Sequence, residues 1–390
     1  LYDAIVIGGG PTGSYAASKL AEKGHDVMVL ERKRRVGESV CCTGIIGQEC
    51  ASTFNVDRKV ILRQVNSARL FSPSGNQLWL RREKTQACIL DRAAFDISMA
   101  ERAQGAGVSY ILNSPVKNIA VAGDGVSVVV FRQGKETIFK ARAAVIACGF
   151  GSGLGKRLGL GGFGDFTAGA QAEVEAPGID EVEVYFGDVA PGFFAWLVPT
   201  KDSRARAGLL SRKNPGLYLR KWLAHLAAQG RIASAEAEIN YGGIPLKPLT
   251  RTCGERLVVV GDAAGQVKPT SGGGIYYGLL CADIAAQTLH QALEDGDLSA
   301  SRLARYGRGW RKRLGRELRI GYWTRKLFER LSDRQIDRIF EIVKANGIDE
   351  ALLKAEELSF DWHSRTILRL IGFQVVARAV NIIKLPFRTG

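Results

Sequence analysis

Apolar runs and helical periodicities alternate from the first residues of the chain. Ala4-Ile5-Val6-Ile7 reads as a buried strand within Tyr2 to Ile7, and a glycine turn follows. Ser14 to Lys23 then carries Ala16, Ala17, Leu20 and Ala21 at helical spacing until Gly24 ends the helix. Asp26 to Leu30 is a second apolar strand, which completes a βαβ unit. Further on, residues 65–71 and 77–82 flank Ser72-Pro73-Ser74-Gly75-Asn76, a hairpin signal, and Leu90 to Ala106 has a helical pattern. Val126 to Phe131 and Thr137 to Lys140 predict a second hairpin, and Ala143 to Ala147 a short buried strand. Val182 to Phe186, Phe193 to Val198 and Ala205 to Leu210 predict an antiparallel sheet between residues 163 and 250. Leu257 to Val260 is one more buried strand, and after Gly274 the pattern is helical to the end.

Two glycine-rich segments stand at strand–helix junctions far apart in this chain. In the first, Gly8, Gly10 and Gly13 fit G-x-G-x-x-G, with Pro11 opening the helix. Glu31 and its neighbour Arg32 stand at the end of the second strand, where a carboxylate can meet ribose hydroxyls. This is a dinucleotide fingerprint, with the pyrophosphate expected at the helix N-terminus. The second segment runs Gly261-Asp262-Ala263-Ala264-Gly265, then Pro269 and Gly272-Gly273-Gly274-Ile275. Asp262 can hold a ribitol hydroxyl, and the Gly272–Gly274 turn can bring helix N–H groups near an isoalloxazine ring. The pair therefore points to FAD rather than NAD. The cluster Gly149, Gly151, Gly153, Gly155 misses the fingerprint spacing, so a separate NAD(P)H domain is not expected.

Composition narrows the partners. The chain has 390 residues, 46% hydrophobic and 24% charged, and a formal net charge of +15. Much of the excess lies in Arg302, Arg305, Arg308, Arg311, Lys312, Arg313, Arg316 and Arg319. That pattern is a solvated helix face or an attraction to anionic headgroups or a diphosphate. No nucleic-acid motif accompanies it. Seven cysteines (Cys41, Cys42, Cys50, Cys88, Cys148, Cys253, Cys281) show no paired C-x-x-C spacing, against a disulfide scaffold and a zinc site, so no metal is expected. Free thiols fit a reducing cytosol. The strand beginning near residue 1 argues against a signal peptide, and no stretch of 18 uncharged apolar residues exists; the expected location is cytoplasmic, with peripheral membrane contact open. Residues 366–385 are apolar but broken by Arg369, Arg378 and Lys384. They read as a core helix or as an interfacial surface. None of the four histidines lies in a glycine motif, so the chemistry belongs to the cofactor.

Four segments resemble the geranylgeranyl reductase family, within the flavoprotein superfamily that includes p-hydroxybenzoate hydroxylase. They are Gly8 to Ser14, Leu90 to Asp96, Gly261 to Tyr277, and the helix bearing Tyr306, Trp310, Arg311, Gly315, Glu317 and Leu318. The resemblance implies that Arg92 reaches the FAD. It implies that Gly192 to Pro199 lines a prenyl pocket, with Phe193, Phe194 and Trp196 as candidates, joined by Tyr277; Phe194 and Val198 depart from that family's tyrosine and phenylalanine. Cys41-Cys42-Thr43-Gly44 is similar to the family's C-x-x-G segment beside the flavin, which makes Cys41 a candidate catalytic residue; Cys41, Tyr276 and water are the candidate proton donors. Hydroxylases of the superfamily carry Asp-Gly where this chain has Cys148-Gly149, which weakens direct use of NAD(P)H.

The expectation is therefore an α/β protein: a Rossmann-like FAD-binding domain (1–62, 88–162 and 251–298), an inserted antiparallel β-sheet substrate domain (63–87 and 163–250) and a C-terminal helical region (299–390). The expected function is an FAD-dependent oxidoreductase that saturates C=C bonds of a geranylgeranyl or related prenyl chain on a lipid or a diphosphate. Its electrons would come from an external donor, NAD(P)H or ferredoxin. Rival readings are an FAD monooxygenase or halogenase of an aromatic compound, and a non-enzymatic flavin or lipid carrier.

Overall fold

Continuous apolar runs and alternating ones sort the chain into two differently built units. The computed structural model describes residues 1–354, 359–364 and 366–368. The first unit takes Leu1–Leu62, Leu90–Thr167 and Gly242–Tyr322; the second takes Arg63–Ile89, Ala168–Tyr241 and the chain from Trp323 onward. The helix Ala300–Phe328 runs through the last boundary. All but the first three of the interfacial residues considered at 366–385 lie outside the described residues.

The first unit is built on a sheet ordered Cys253–Gly254, Leu257–Val259, Lys135–Ile146, Tyr2–Ile7, Val27–Leu30, Ser109–Ile111. The four inner pairings of Leu257–Val259 through to Ser109–Ile111 are parallel, with Ile5 opposite both Ala144 and Met28. Strands covered on both faces need apolar residues at every position, which is why they read as unbroken runs. Their side chains form one core with Val126, Val128 and Val130 of the hairpin strand Gly125–Arg132. Thr137–Lys140 and Ala143–Ala147, which read as two strands, are one strand, Lys135–Ile146. Its first half pairs with the hairpin and its second half with the parallel sheet. The charge at Arg142 does not interrupt it, because Nη1 reaches Asp3 Oδ1 on the neighbouring strand at 2.9 Å.

A second, seven-stranded sheet is ordered Asn240–Pro245, Phe166–Glu175, Arg204–Ser211, Ala195–Pro199, Val182–Tyr185, Ser67–Phe71, Gln77–Arg81, and from Phe166–Glu175 onward it is antiparallel apart from the parallel pairing of Val182–Tyr185 with Ser67–Phe71. Period-two alternation puts Ala170, Ala172, Ala195, Leu197, Ala207 and Leu209 on one face. The helix Pro215–Ala228 covers that face with Leu219, Trp222, Leu223 and Leu226. A second cluster joins Leu78 to Ile336, Phe340 and Val343 of the helix Asp333–Ala345, whose start carries a capping box from Ser332 and Gln335.

Candidate functional site: two glycine turns joined at Thr12

The three fingerprint glycines differ in what forbids a side chain. Gly8 has φ +107°, and a Cβ there would sit 2.5 Å from the Ala147 carbonyl oxygen. At Gly13 a Cβ would lie 2.0 Å from the Gly8 carbonyl oxygen, so helix and turn touch backbone to backbone. Gly10 has neither constraint. Its φ is −73° and no protein atom lies within 4 Å of a Cβ placed on it. It is the N-cap of the helix Pro11–Ala21 and has no side-chain cap, so the first-turn N–H groups face outward beside open space. A pyrophosphate is a group that would fill that space and accept those hydrogen bonds.

Glu31 fixes the turn from the second strand. Its Oε2 accepts from the Gly9 N–H at 2.7 Å and its Oε1 from the Lys33 N–H at 2.9 Å. Each carboxylate oxygen keeps a further lone pair. Tyr110 donates to Ser14 Oγ at 2.8 Å, which donates to the Gly9 carbonyl at 3.1 Å. Burial pushes the Tyr110 hydroxyl up to about 12, so it stays a donor. Arg32 is exposed.

The second glycine segment meets the first through one residue. A Cβ on Gly278 would lie 2.5 Å from Thr12 Oγ1, and one on Gly261 (φ +66°) would lie 3.1 Å from the Thr12 side chain. Thr12 thus occupies a notch that only two glycines can form, and the two motifs become one site. Beside it, a Cβ on Gly274 would lie 2.4 Å from Asp262 Oδ1. Asp262 keeps some exposed surface, yet desolvation by surrounding protein pushes its carboxyl up to about 6, against the opposing field of Arg92. A carboxyl both enclosed and reachable lies on the floor of a concavity. Gly272, Gly273 and Gly274 lead into Ile275–Glu294, another helix whose start has no side-chain cap.

Arg92 opens the helix Arg92–Gly105 and is buried, with Nη2 on Asp96 Oδ1 at 2.6 Å. Its Nε is buried without an acceptor among the described residues, a donor that a bound group could complete. Cys42 lies against this guanidinium, and its Sγ accepts from the Gly44 N–H. Cys41 points elsewhere, with Sγ 3.6 Å from where a Gly242 Cβ would be. Burial, followed by the neighbouring Cys42, pushes its thiol up to about 11.

Sequence reasoning did not single out Thr12 and Gln266. Gln266 Oε1 accepts from the Gly261 N–H at 2.8 Å, and its Nε2 donates to the Tyr306 hydroxyl at 2.7 Å. Tyr306 in turn donates to the Val259 carbonyl at 2.7 Å. Trp310 donates to Thr252 Oγ1 at 2.9 Å, and Arg311 stacks over the Trp310 ring. Of the residues read as a family signature on the helix Ala300–Phe328, Tyr306 therefore braces the Gly261 turn, while Trp310 and Arg311 tie the helix to Thr252 and Thr250. Their signal was composition without a visible partner, since hydrogen-bonding residues on an otherwise apolar face need one.

Tyr276 is buried with its hydroxyl on Glu49 Oε1 at 2.6 Å. Tyr277 has no exposed surface and lies under the Lys268 ammonium. In the second unit Phe193 is 1% exposed and is covered by the guanidinium groups of Arg325 and Arg212. Tyr277 and Phe193 thus fill interiors instead of lining an open surface. Phe194 and Trp196 are half-buried, with rings 5.8 Å apart. Trp196 lies directly opposite Gly208 on the next strand, where a Cβ would come within 2.5 Å of the indole. The glycine lets the indole lie flat against the sheet.

A family model for the NAD(P)-binding Rossmann-like domain matches residues 6–43. Among curated proteins, the chain is 31% identical over 363 residues to a digeranylgeranylglycerophospholipid reductase from Methanocaldococcus jannaschii, covering 90% of this chain and 93% of that one. It is 28% identical to one from Methanococcus aeolicus, covering 98% and 96%. Among solved structures, a geranylgeranyl bacteriochlorophyll reductase-like protein from Thermoplasma acidophilum superposes with a TM-score of 0.86 at 24% identity, over 98% of this chain and 99% of that one. A flavin-dependent brominase shares the fold at a TM-score of 0.68 and 17% identity, over 91% and 99%. Identity of this level over nine-tenths of the length makes the chain a member of the digeranylgeranylglycerophospholipid reductase family.

Proposed function

We propose that this protein is an FAD-dependent reductase that saturates C=C bonds in the geranylgeranyl chains of a prenylated glycerophospholipid. The observation that carries the reading is the likeness to reductases named for that lipid over nearly the full length of both chains. The cofactor assignment is supported by a glycine, Gly10, whose missing side chain serves neither backbone nor packing.

Gly8, Gly10, Pro11 and Gly13 hold the pyrophosphate, and Glu31 the adenosine ribose, with Arg32 beside it. Asp262 and Gly261 take the ribitol end, Arg92 supplies its unpartnered N–H, and Gly272 to Ile275 present the N-terminus of their helix to the ring. FAD, once reduced, supplies a hydride to an alkene carbon. An isolated alkene offers no polar handle, so apolar burial must bind the chain, at about 0.8 kcal/mol per CH₂; Phe194 and Trp196 supply aromatic surface for it. Cys41 holds its proton well above neutral pH and is the side chain we assign as proton donor for the second carbon, directly or through water, since the hydroxyl of Tyr276 is engaged by Glu49. Electrons come from an external donor, NAD(P)H or a ferredoxin. Cys148 stands where the hydroxylases of the superfamily carry aspartate, and its thiol donates to Ser152 Oγ at 3.0 Å.

Among the described residues no helix is long and apolar enough to cross a membrane. Access to a lipid substrate is assigned to peripheral contact through the exposed basic side chains Arg305, Arg308, Lys312, Arg313, Arg316 and Arg319 of one helix. The test is incubation with unsaturated archaeal-type ether phospholipid and a reductant, with and without air. Alkene saturation that does not need oxygen supports the reading. Oxygen uptake coupled to hydroxylation or halogenation of an aromatic compound, with the lipid untouched, overturns it.

A further inference from the structure

We infer that His25, His290 and Glu294 form a binding site for a divalent transition-metal ion of the zinc class, remote from the glycine turns. His25 lies in the turn before the strand Val27–Leu30, and His290 and Glu294 are one turn apart on the helix Ile275–Glu294. Positions i and i+4 share a helix face, and both face the same imidazole. His25 Nε2 lies 2.9 Å from His290 Nδ1, across 265 residues of sequence. The ligand atoms of all three side chains lie within 4.8 Å of one another. Donors about 2.0–2.2 Å from a tetrahedral zinc sit roughly 3.4 Å apart, so side-chain rotation alone would bring these onto an ion. Two imidazoles and a carboxylate are donors for zinc and its neighbours, not for magnesium or calcium.

Two further features support the site. The other ring nitrogen of His25, Nδ1, lies 3.8 Å from Asp3 Oδ2. Asp3 is itself held by Arg142 at 2.9 Å and by the Asp26 N–H at 3.0 Å. At that distance the carboxylate is an electrostatic neighbour of the ring and not a hydrogen-bond partner, and its negative charge favours a cation on the far nitrogen. Glu294 is also the last residue of its helix, where the macrodipole favours a cation. The location assigns the role. Asp3 and His25 stand at the amino ends of their strands, whereas Gly8 to Gly13 follow a carboxyl end. A six-residue strand separates them, on the order of 20 Å. A metal there clamps the end of the helix Ile275–Glu294 to the sheet and touches no flavin.

The experiment uses the full flavin-loaded chain, stripped of metal with a chelator, and titrates Zn²⁺ by calorimetry and by thermal unfolding. E294Q, an exposed substitution that leaves the fold intact, and H290A are run in parallel, so that zinc held by the free cysteines cancels in the difference. The expected result is one equivalent bound by the wild type, with a midpoint rise of a few degrees. E294Q should weaken that equivalent at least tenfold and H290A should abolish it, with flavin content unchanged throughout. Equal zinc affinity and an equal midpoint shift in the wild type and E294Q would overturn the proposal.

Discussion

Gly10 and Gly13 offer separate tests of the proposed cofactor binding and of folding within a single turn. Gly10→Ala puts a methyl group into open space at an ordinary φ, so its stability should stay within about 0.5 kcal/mol of the wild type. The purified variant should nevertheless carry far less FAD. Gly13→Ala drives a methyl group into the Gly8 carbonyl and should lower the unfolding midpoint itself. Absorbance of bound flavin and thermal melts, taken together, check both. Asp262 makes a different test. Burial raises its carboxyl from 3.8 to about 6 in the folded protein, so folding favours the protonated form. The associated stability is present below about pH 4 and is lost as pH rises through about 6. With flavin removed, Asp262→Asn should be more stable than the wild type at pH 7 by about 1–2 kcal/mol, discounted for residual exposure, and should lose the sloping part of the stability curve between pH 4 and 6. Urea denaturation across pH 4–8 reads this; a parallel curve for the two proteins would contradict it. Gly10, Gly13 and Asp262 stand out in the sequence, because fingerprint glycines and a strand-terminal acid announce themselves by spacing. Thr12 was not: its role exists only once Gly261 and Gly278 are brought to it.

At the scale of elements, the helix Ala300–Phe328 governs the second glycine turn through the relay from Tyr306 to Gln266 to the Gly261 N–H. Tyr306→Phe removes the hydroxyl that serves Val259 and Gln266 in a fully buried setting and should destabilise the protein by about 1–3 kcal/mol. FAD should also dissociate faster from it, because the turn that carries Asp262 loses its anchor; stopped-flow release of flavin measures this. Most strands were readable because both of their patterns are unambiguous: unbroken apolar runs in the parallel sheet, alternation in the other. The merged strand Lys135–Ile146 was misread at Arg142, since a charge inside a strand looks like a boundary until its partner Asp3 is seen. The brace was unreadable for the same reason, as sequence shows that Tyr306 and Trp310 are polar-tipped aromatics and not what their tips meet.

For the whole molecule, charge and cofactor set the behaviour. A protein with a formal net charge of +15 and a basic helix face should sediment with vesicles containing anionic lipid and not with zwitterionic ones. The association should weaken steeply as salt rises from 0.05 to 0.5 M, roughly the range over which the Debye length shortens several-fold. Retention that ignores both lipid charge and salt would remove the electrostatic route to the substrate. Fold class and cofactor were legible because both glycine motifs sit in their strand–turn–helix settings, and the full-length relatives carry the substrate class. Which aromatics of the candidate pocket stay at the surface was less legible. A run such as Phe193-Phe194-Ala195-Trp196 alternates between interior and surface, and only the structure assigns Phe193 to the interior. A single anaerobic turnover tests flavin-to-alkene hydride transfer most directly. The protein is reduced with dithionite, freed of excess reductant and mixed with a geranylgeranyl glycerophospholipid, while flavin absorbance and lipid mass are followed together. The oxidised flavin spectrum is expected to return as each lipid double bond gains two hydrogens, one flavin oxidised per bond saturated. A flavin that stays reduced beside unchanged lipid would contradict that transfer.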